Sequence, residues 1–274
     1  MTSNDWSTTM ANLAVVGCSF SDRTKVEKSY GDYLSEMVDY NYIHLARGAG
    51  SNIRSVYKAA TSILEGTLGS GDVLLFQFTD PHRKIISSHK PMSEQNRIDG
   101  RIEEHDTPYG KGYTSDYKAE SWTWQGDKEL VLAGNKSLHK LMEQVAVNNE
   151  FETDYTLIQF KLLEALCMQH NVNIVPVMTR YIGYHEYNED HTFTPSDIVA
   201  DISQRFHPDV KNKTFYEWDF IRVGGIDNPC VLDYGFSPEE KNEYDNSHLS
   251  KEGHIYLAQC LKKHLLGHKL LDTQ

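Results

Sequence analysis

Cysteine and long apolar runs are scarce in this chain, and both absences narrow the classes of protein it can belong to. Its 274 residues include four cysteines, which form neither a CxxC pair nor the spacing of a metal site. We therefore expect reduced cysteines and no disulfides. No apolar run approaches the roughly 18–20 residues that span a bilayer, and residues 1–12 lack the basic start and apolar middle of a signal peptide. We expect a cytoplasmic protein without a membrane partner.

Basic residues are also fewer than acidic ones. The chain has 39 acidic against 27 basic residues, which gives a formal net charge of -12. A surface of that sign repels phosphate backbones and anionic membranes, so we expect no nucleic-acid partner. Internal repeats, low-complexity tracts and clear linkers are missing as well. The simplest organisation is a flexible tail over residues 1–11 and a single domain over residues 12–274.

The first third of the chain alternates between strand and helix patterns. Apolar runs predict strands, and helical periodicity predicts the helices between them, the first of which Ser29 caps. The predicted order is a strand at Leu13–Val16, a helix at Tyr30–Val38, a strand at Tyr42–Ala46, a helix at Ile53–Leu64 and a strand at Val73–Phe78. The last run is continuously apolar, as in a buried parallel strand. This β-α-β-α-β order predicts an α/β layered fold with a mainly parallel sheet.

The remaining two thirds continue the pattern, with two long interruptions. We predict a helix at Tyr155–Met168, strands at Val172–Met178 and Cys230–Leu232, and a closing helix at Lys251–Leu266. The interruptions lie at about 80–134 and 180–244. The first is rich in charge, glycine and aromatic residues, and a segment of that length in a compact domain is functional or disordered. We interpret it as an insertion over the carboxyl edge of the sheet, forming part of a lid or substrate wall.

A serine directly after the first strand is the leading candidate for chemistry. Ligands of open α/β sheets bind beyond the carboxyl ends of the strands, where Ser19 follows Gly17. Taken alone, this stretch favours a turn serine whose hydroxyl satisfies a backbone group. Asp245 and His248, just before the last helix, change that balance, because a serine needs a base and the base needs an orienting carboxylate. We predict Ser19 as nucleophile, His248 as base and Asp245 as its partner.

These blocks, in this order, resemble the SGNH (GDSL-type) hydrolase family. The matching stretches are Gly17-Cys18-Ser19-Phe20-Ser21, the Gly48–Asn52 loop, and Asp245-x-x-His248-Leu249-Ser250-x-x-Gly253-His254. The resemblance implies a three-layer α/β/α, flavodoxin-like fold and hydrolysis of esters through an acyl-enzyme. It also implies that no metal or organic cofactor is needed, and a small-molecule or carbohydrate ester as the partner.

The resemblance further implies an oxyanion hole with three donors. Two are the backbone N–H of Ser19 and that of Gly50, with Gly48 as the alternative. The family's third donor is an asparagine side chain, but Thr79 stands in its place here, within Gln77-Phe78-Thr79-Asp80. Thr79, Gln77 and Asn52 are the possible replacements. Losing one such donor typically lowers the rate about a hundred- to a thousandfold.

Further residues are predicted to contact the substrate, each with a structural alternative. These are Asn52, Asp80, Arg83, Trp122 and Trp124. The planar fork of Arg83 suits an anionic group, although pairing with Asp80 or another acid is the more common role. Trp122 and Trp124 suit stacking on a sugar ring, and they equally suit a small satellite core that anchors the insertion.

Three functions follow from this interpretation. The first is a serine esterase or deacetylase that hydrolyses a small-acyl ester, for which the aromatic insertion favours a carbohydrate O-acetyl group. The second is a binding module for glycans that keeps the fold and has lost efficient catalysis, as Thr79 and the long insertions suggest. The third is an acyltransferase that uses the same triad.

Overall fold

The computed structural model describes twelve stretches of the chain. They are residues 10–18, 20–23, 26–48, 50–79, 83–88, 99–107, 110–118, 149–178, 185–187, 193–195, 203–216 and 249–271. Within 83–118, 149–152, 185–187 and 193–195 the description is of the backbone alone. The strands are β1 (Asn12–Val16), β2 (Asn41–His44), β3 (Val73–Gln77), β4 (Arg83–Ser88), β5 (Asp99–Thr107), β6 (Gly110–Lys118), β7 (Asn173–Met178), β8 (His185–Tyr187), β9 (Phe193–Pro195) and β10 (Phe215–Tyr216). The helices are α1 (Tyr30–Val38), α2 (Asn52–Leu64), α3 (Asn149–Gln169), α4 (Pro208–Asn212) and α5 (Lys251–Gly267).

Five strands form a parallel sheet in the order β10-β7-β3-β1-β2. Numbered within this sheet alone, the order is 2-1-3-4-5, which is the flavodoxin-like arrangement. The chain moves outward from β1 to β2 and then returns across β1 to β3. A crevice is expected at this reversal, beyond the carboxyl ends of β1 and β3. The predicted α/β, flavodoxin-like fold is confirmed.

Helices cover both faces of the sheet because its strands are apolar on both sides. Leu13 and Val15 of β1 join a buried cluster with residues of α1 and α5, whereas Ala14 and Val16 join a second cluster with α2 and α3. All five residues of β3 are buried, as its unbroken apolar pattern predicts. The result is the predicted three-layer α/β/α arrangement.

The first helix begins where its capping residues predict. Ser29 is the N-cap, and its backbone N–H donates to the Asp32 carboxylate at 2.9 Å. Such a reciprocal arrangement satisfies N–H groups that have no partner within the helix. Predicted and observed bounds of α1 agree, and those of the other predicted helices over 53–64, 155–168 and 251–266 differ at the ends only.

The first insertion contains strands that the sequence pattern did not predict. β4, β6 and β5 form an antiparallel sheet in that order. Their sequences, such as Asp99–Thr107, lack an apolar face with a period of two, so the usual strand signal is missing. The predicted fifth strand at Cys230–Leu232 lies outside the described residues, and the fifth strand of the main sheet is the two-residue β10. Within the second insertion the structure describes the short helix α4 and the strand β10.

The two edges of the main sheet differ in the length of their connections. At the amino edge, residues 39–40, 65–72 and 170–172 link each helix to the next strand. At the carboxyl edge, residues 78–148 follow β3 and residues 217–250 follow β10. Among the helices that the structure describes, none is long and apolar enough to cross a membrane.

Candidate active site

The turn after β1 packs tightly against the end of β3. A Cβ on Gly17 would lie 2.5 Å from Oε1 of Gln77 and 2.8 Å from Oγ of Ser21, so only glycine fits at this position. The N–H of Ser21 donates to the carbonyl of Cys18 at 3.0 Å and closes the turn around residue 19. Ser19 itself lies outside the described residues, and its predicted role as nucleophile stays a prediction.

Gln77 supports this turn from the neighbouring strand. Its Oε1 accepts a hydrogen bond from the backbone N–H of Cys18 at 3.4 Å and another from the hydroxyl of Ser21. Gln77 is fully buried, and its Nε2 has no hydrogen-bond partner in the described part of the chain. An unpaired buried donor costs about 1–3 kcal/mol, so the contacts of Oε1 are retained despite a penalty.

The loop after β2 lies directly on the first turn. The N–H of Arg47 donates to the carbonyl of Gly17 at 3.2 Å, and a Cβ on Gly50 would lie 2.8 Å from that same oxygen. The N–H of Gly50 donates to the carbonyl of Arg47 at 2.9 Å, and the N–H of Gly48 donates to Asp22 Oδ2 at 2.6 Å. Both candidate oxyanion amides therefore have acceptors within the protein in this structure. Their role as donors stays a prediction.

Asn52 joins the loop after β2 to the loop after β3. Its Nδ2 donates to the carbonyl of Thr79 at 2.7 Å, and its Oδ1 accepts from the N–H of Thr79 at 2.8 Å. Both residues are buried, and the buried backbone N–H and carbonyl of Thr79 need hydrogen-bond partners. The carboxamide of Asn52 supplies both, as a neighbouring strand would. This contact gives Asn52 a structural role, and its predicted contact with substrate is not tested.

A polar network near the turn was missed in the sequence. Asp22 Oδ1 lies 3.0 Å from His44 Nε2, and the hydroxyl of Tyr42 lies 3.1 Å from His44 Nδ1. Burial raises the pKa of the Tyr42 phenol, which is therefore neutral and able to donate. The signal was available: Asp22 follows β1, His44 ends β2, and these parallel strands are neighbours whose carboxyl ends share an edge.

The same network reaches the start of α1. The Tyr42 hydroxyl lies 3.2 Å from Ser29 Oγ, which donates to Asp32 at 2.9 Å. Burial opposes ionisation of Asp32, but hydrogen bonds from Arg23 and Ser29 outweigh it and lower the pKa of this carboxyl. The Asp32 carboxylate therefore lies at one end of a part-buried chain of hydrogen bonds, and Asp22 lies at the other end.

The start of α5 is anchored to α1 and to the sheet. Leu249 is buried in the same apolar cluster as Val15 of β1 and Leu75 of β3. Ser250 is the N-cap of α5, and His254 is buried with its Nδ1 accepting from the N–H of Tyr30 at 3.1 Å. The residue after His248 thus packs with the core beneath the candidate site.

Several predicted site residues cannot be placed. Asp80, Trp122, Trp124, Asp245 and His248 lie outside the described residues, and Arg83 begins β4 with its backbone alone described. The structure brings Gly17, Gly50, Asn52 and Thr79 together at the carboxyl edge of the sheet. Across the described ranges, no group of three or more histidine, cysteine or acidic side chains has the arrangement of a metal site.

Comparison with known proteins finds similarity in structure but none in sequence. No family model and no curated protein matches the chain. A proposed lipolytic protein of the G-D-S-L family from Desulfitobacterium hafniense DCB-2 is similar with a TM-score of 0.46 and 10% identity, over 93% of this chain and 99% of that one. A proposed acylhydrolase from Bacteroides fragilis is similar with a TM-score of 0.43 and 11% identity, over 94% and 88%. The fold assignment rests on the strand order and the parallel pairing described above.

Proposed function

We propose that this protein is a serine esterase of the SGNH type that hydrolyses a small-acyl ester. The contact between Gly50 and the carbonyl of Gly17 carries the proposal, because it joins the first two of the motif stretches that resemble that family. The two glycines are 33 positions apart in the sequence, and they meet because they follow the neighbouring parallel strands β1 and β2. They lie at the carboxyl edge of the sheet, next to the strand-order reversal between β1 and β3, where ligands of such sheets bind.

The proposed reaction follows from the residue types. Ser19 Oγ attacks the ester carbonyl carbon while His248 accepts the serine proton, with Asp245 orienting the imidazole. The bond from the carbonyl carbon to the alcohol oxygen then breaks, and His248 returns the proton to the departing alcohol. Water repeats the sequence on the acyl-enzyme, which releases the carboxylic acid and restores Ser19. Backbone N–H groups of Ser19 and Gly50, with Thr79, would stabilise the oxyanion.

The stretch Gln77-Phe78-Thr79-Asp80 lacks the asparagine that the resembled family has after its third strand. Local contacts suggest which side chain could replace it. Where an asparagine is usual, Thr79 has its backbone paired to the carboxamide of Asn52. An asparagine amide therefore does reach the backbone at this position, but from the first residue of α2. The nitrogen of a carboxamide has two hydrogens, and Thr79 takes one of them. Asn52 is thus a candidate for the third donor alongside the Thr79 hydroxyl.

The experiment is covalent labelling with a fluorophosphonate, read by intact mass and peptide mapping. We expect one adduct, on Ser19, and loss of that adduct in Ser19→Ala and His248→Ala. Ser70→Ala is the matched control, because Ser70 is an exposed serine beyond the opposite edge of the sheet. Folded protein that takes no label, or that takes it on another serine, would contradict the proposal.

Substrate class is tested with the same protein. We expect turnover of p-nitrophenyl acetate, slow turnover of long-chain esters and release of acetate from acetylated glycans, since the aromatic insertion suits a sugar. Addition of an acceptor sugar separates hydrolysis from acyl transfer, because transfer yields an acylated sugar in place of free acid. Activity on long-chain esters alone would overturn the small-acyl assignment.

A binding module is the second candidate, and one observation favours it. The N–H groups of Gly48 and Gly50 already have acceptors in Asp22 and Arg47, so an oxyanion would have to displace them. A protein of this kind would bind a glycan without turnover and leave the fluorophosphonate unreacted. The labelling experiment therefore separates the two candidates directly.

A further inference from the structure

Gln77 occupies an unusual position for a polar side chain. It is the last residue of β3, it is fully buried, and its side chain fills the space beside Gly17. The residues that touch its Oε1, Cys18 and Ser21, lie on either side of residue 19 in the chain. One side-chain oxygen thus holds both ends of the turn that carries the proposed nucleophile.

The orientation of the carboxamide is fixed by its partners. The backbone N–H of Cys18 can only donate, so the atom facing it must be the oxygen of Gln77. That oxygen has no hydrogen to give, and the Ser21 hydroxyl therefore donates to it. The Ser21 oxygen is then left to accept from the Tyr30 hydroxyl, 2.8 Å away. Rotating the carboxamide by half a turn would place two donors against each other.

The contacts continue from the turn to the last helix. Beyond its hydroxyl, Tyr30 donates its backbone N–H to Nδ1 of His254 and stacks on that imidazole, with ring centroids 6.3 Å apart. His254 lies in the first two turns of α5, six residues after His248 in the sequence. A buried chain of contacts therefore runs from β3, through the nucleophile turn and α1, to the helix that follows the predicted base.

Among the described residues the nitrogen of Gln77 has no hydrogen-bond partner, so packing alone does not explain a carboxamide at this position. An apolar side chain of similar length, such as methionine, would fill the space without burying a donor that lacks a partner among the described residues. Unlike methionine, the carboxamide supplies an oxygen that accepts hydrogen bonds from Cys18 and Ser21.

We propose that Gln77 is a positioning residue for catalysis, which holds Cys18 and Ser21 in place on either side of the proposed nucleophile in the chain. This inference rests on the proposed esterase function. It predicts that removing the Gln77 oxygen slows the chemical step more than it weakens substrate binding, because misplacement of a reacting group lowers the rate in the bound complex.

The test compares Gln77→Met with Gln77→Glu and with wild type. Methionine preserves volume and removes the acceptor, and we expect kcat and the rate of fluorophosphonate labelling to fall about 10- to 100-fold, with KM within about threefold. A glutamic acid oxygen accepts the same two hydrogen bonds, so Gln77→Glu is expected to recover most of the labelling rate. A uniform loss of stability cannot produce this pattern in folded protein.

Separate outcomes overturn the inference and the function on which it rests. If wild type labels on Ser19 and folded Gln77→Met labels at the wild-type rate, Gln77 does not position the nucleophile and the esterase function stands. If wild type does not label, both fail. Should Gln77→Met not fold, Ser21→Ala removes one of the two donors to Oε1 with a smaller change, and an unchanged labelling rate in that variant overturns the inference.

Discussion

Gly50 sits against the carbonyl oxygen of Gly17 so closely that a Cβ on residue 50 would lie 2.8 Å from that oxygen. Both neighbours at this distance are backbone atoms, the second being the carbonyl oxygen of Arg47 at 2.9 Å. Backbone atoms cannot rotate away as the end of a flexible side chain can. The loops after β1 and β2 are therefore in contact through their backbones. This contact requires a residue without a Cβ at position 50.

Gly50→Ala is expected to separate these loops. Overpacking of this kind costs typically about 1–3 kcal/mol in the free energy of unfolding, and the displaced loop should lower the proposed esterase activity. Gly69→Ala is the matched control, because a Cβ there has no atom within 4 Å and should change little. Urea unfolding measures both variants. Equal stability of the two would show that the loop after β2 gives way freely.

Asn52→Leu is expected to destabilise the fold through the backbone of Thr79. Leucine has a similar shape but leaves the N–H and the carbonyl of Thr79 without their partner in a buried place. Each unsatisfied group costs about 1–3 kcal/mol. The melting temperature should therefore fall further in Asn52→Leu than in an exposed substitution such as Gln169→Ala. A melting temperature like that of the control would mean that water replaces the carboxamide.

Asp32 is expected to stabilise the fold in a pH-dependent way. Its pKa in the folded protein lies below the ordinary 3.8, so its contribution is complete above the unfolded-chain pKa and is lost as the pH falls through the folded value. The stability difference between wild type and Asp32→Asn should therefore shrink as the pH is lowered from about 6 toward 3.

Glu36→Gln is the control for that comparison. Glu36 is 57% exposed and pairs with Lys28, which is 43% exposed, and exposed pairs contribute little. Urea unfolding across the pH range should show a small and nearly constant effect for Glu36→Gln. A constant difference for Asp32→Asn as well would contradict the lowered pKa.

Cys167 is expected to resist thiol reagents in the native protein. Burial raises the pKa of this thiol to about 12, and the thiolate is the reactive form. Alkylation with iodoacetamide at mildly alkaline pH, followed by peptide mapping, should leave Cys167 unmodified until denaturant is added. Modification of native protein at the rate of the denatured chain would show that α3 opens readily.

Helices and strands could be predicted where a few adjacent residues define them, as a capping residue or an unbroken apolar run does. The bounds of α1 followed from Ser29 and an apolar stripe, and β3 from an unbroken apolar run. The strand order could be anticipated because the alternation of strand and helix leaves few arrangements. β4 to β6 escaped prediction because their sequences lack an apolar face with a period of two.

The site was harder to predict than the fold, for a related reason. Small residues after β1 and β2 marked where the loops approach, and this followed from chain order and sheet geometry. The contacts of Gln77 with Ser21, and of Asn52 with Thr79, join residues 56 and 27 positions apart. Nothing in the local pattern of either partner indicates them, since each residue alone is an ordinary polar side chain.

The two edges of the sheet differ in how freely their connections can change in length. Short links at the amino edge leave little freedom to change length without moving a helix off the core. The two segments over residues 78–148 and 217–250 instead start from the carboxyl ends of β3 and β10. Exchange of segments at this edge should therefore disturb the sheet less than a change of length at the other edge. Chimeras between distant relatives should be joined at the carboxyl edge.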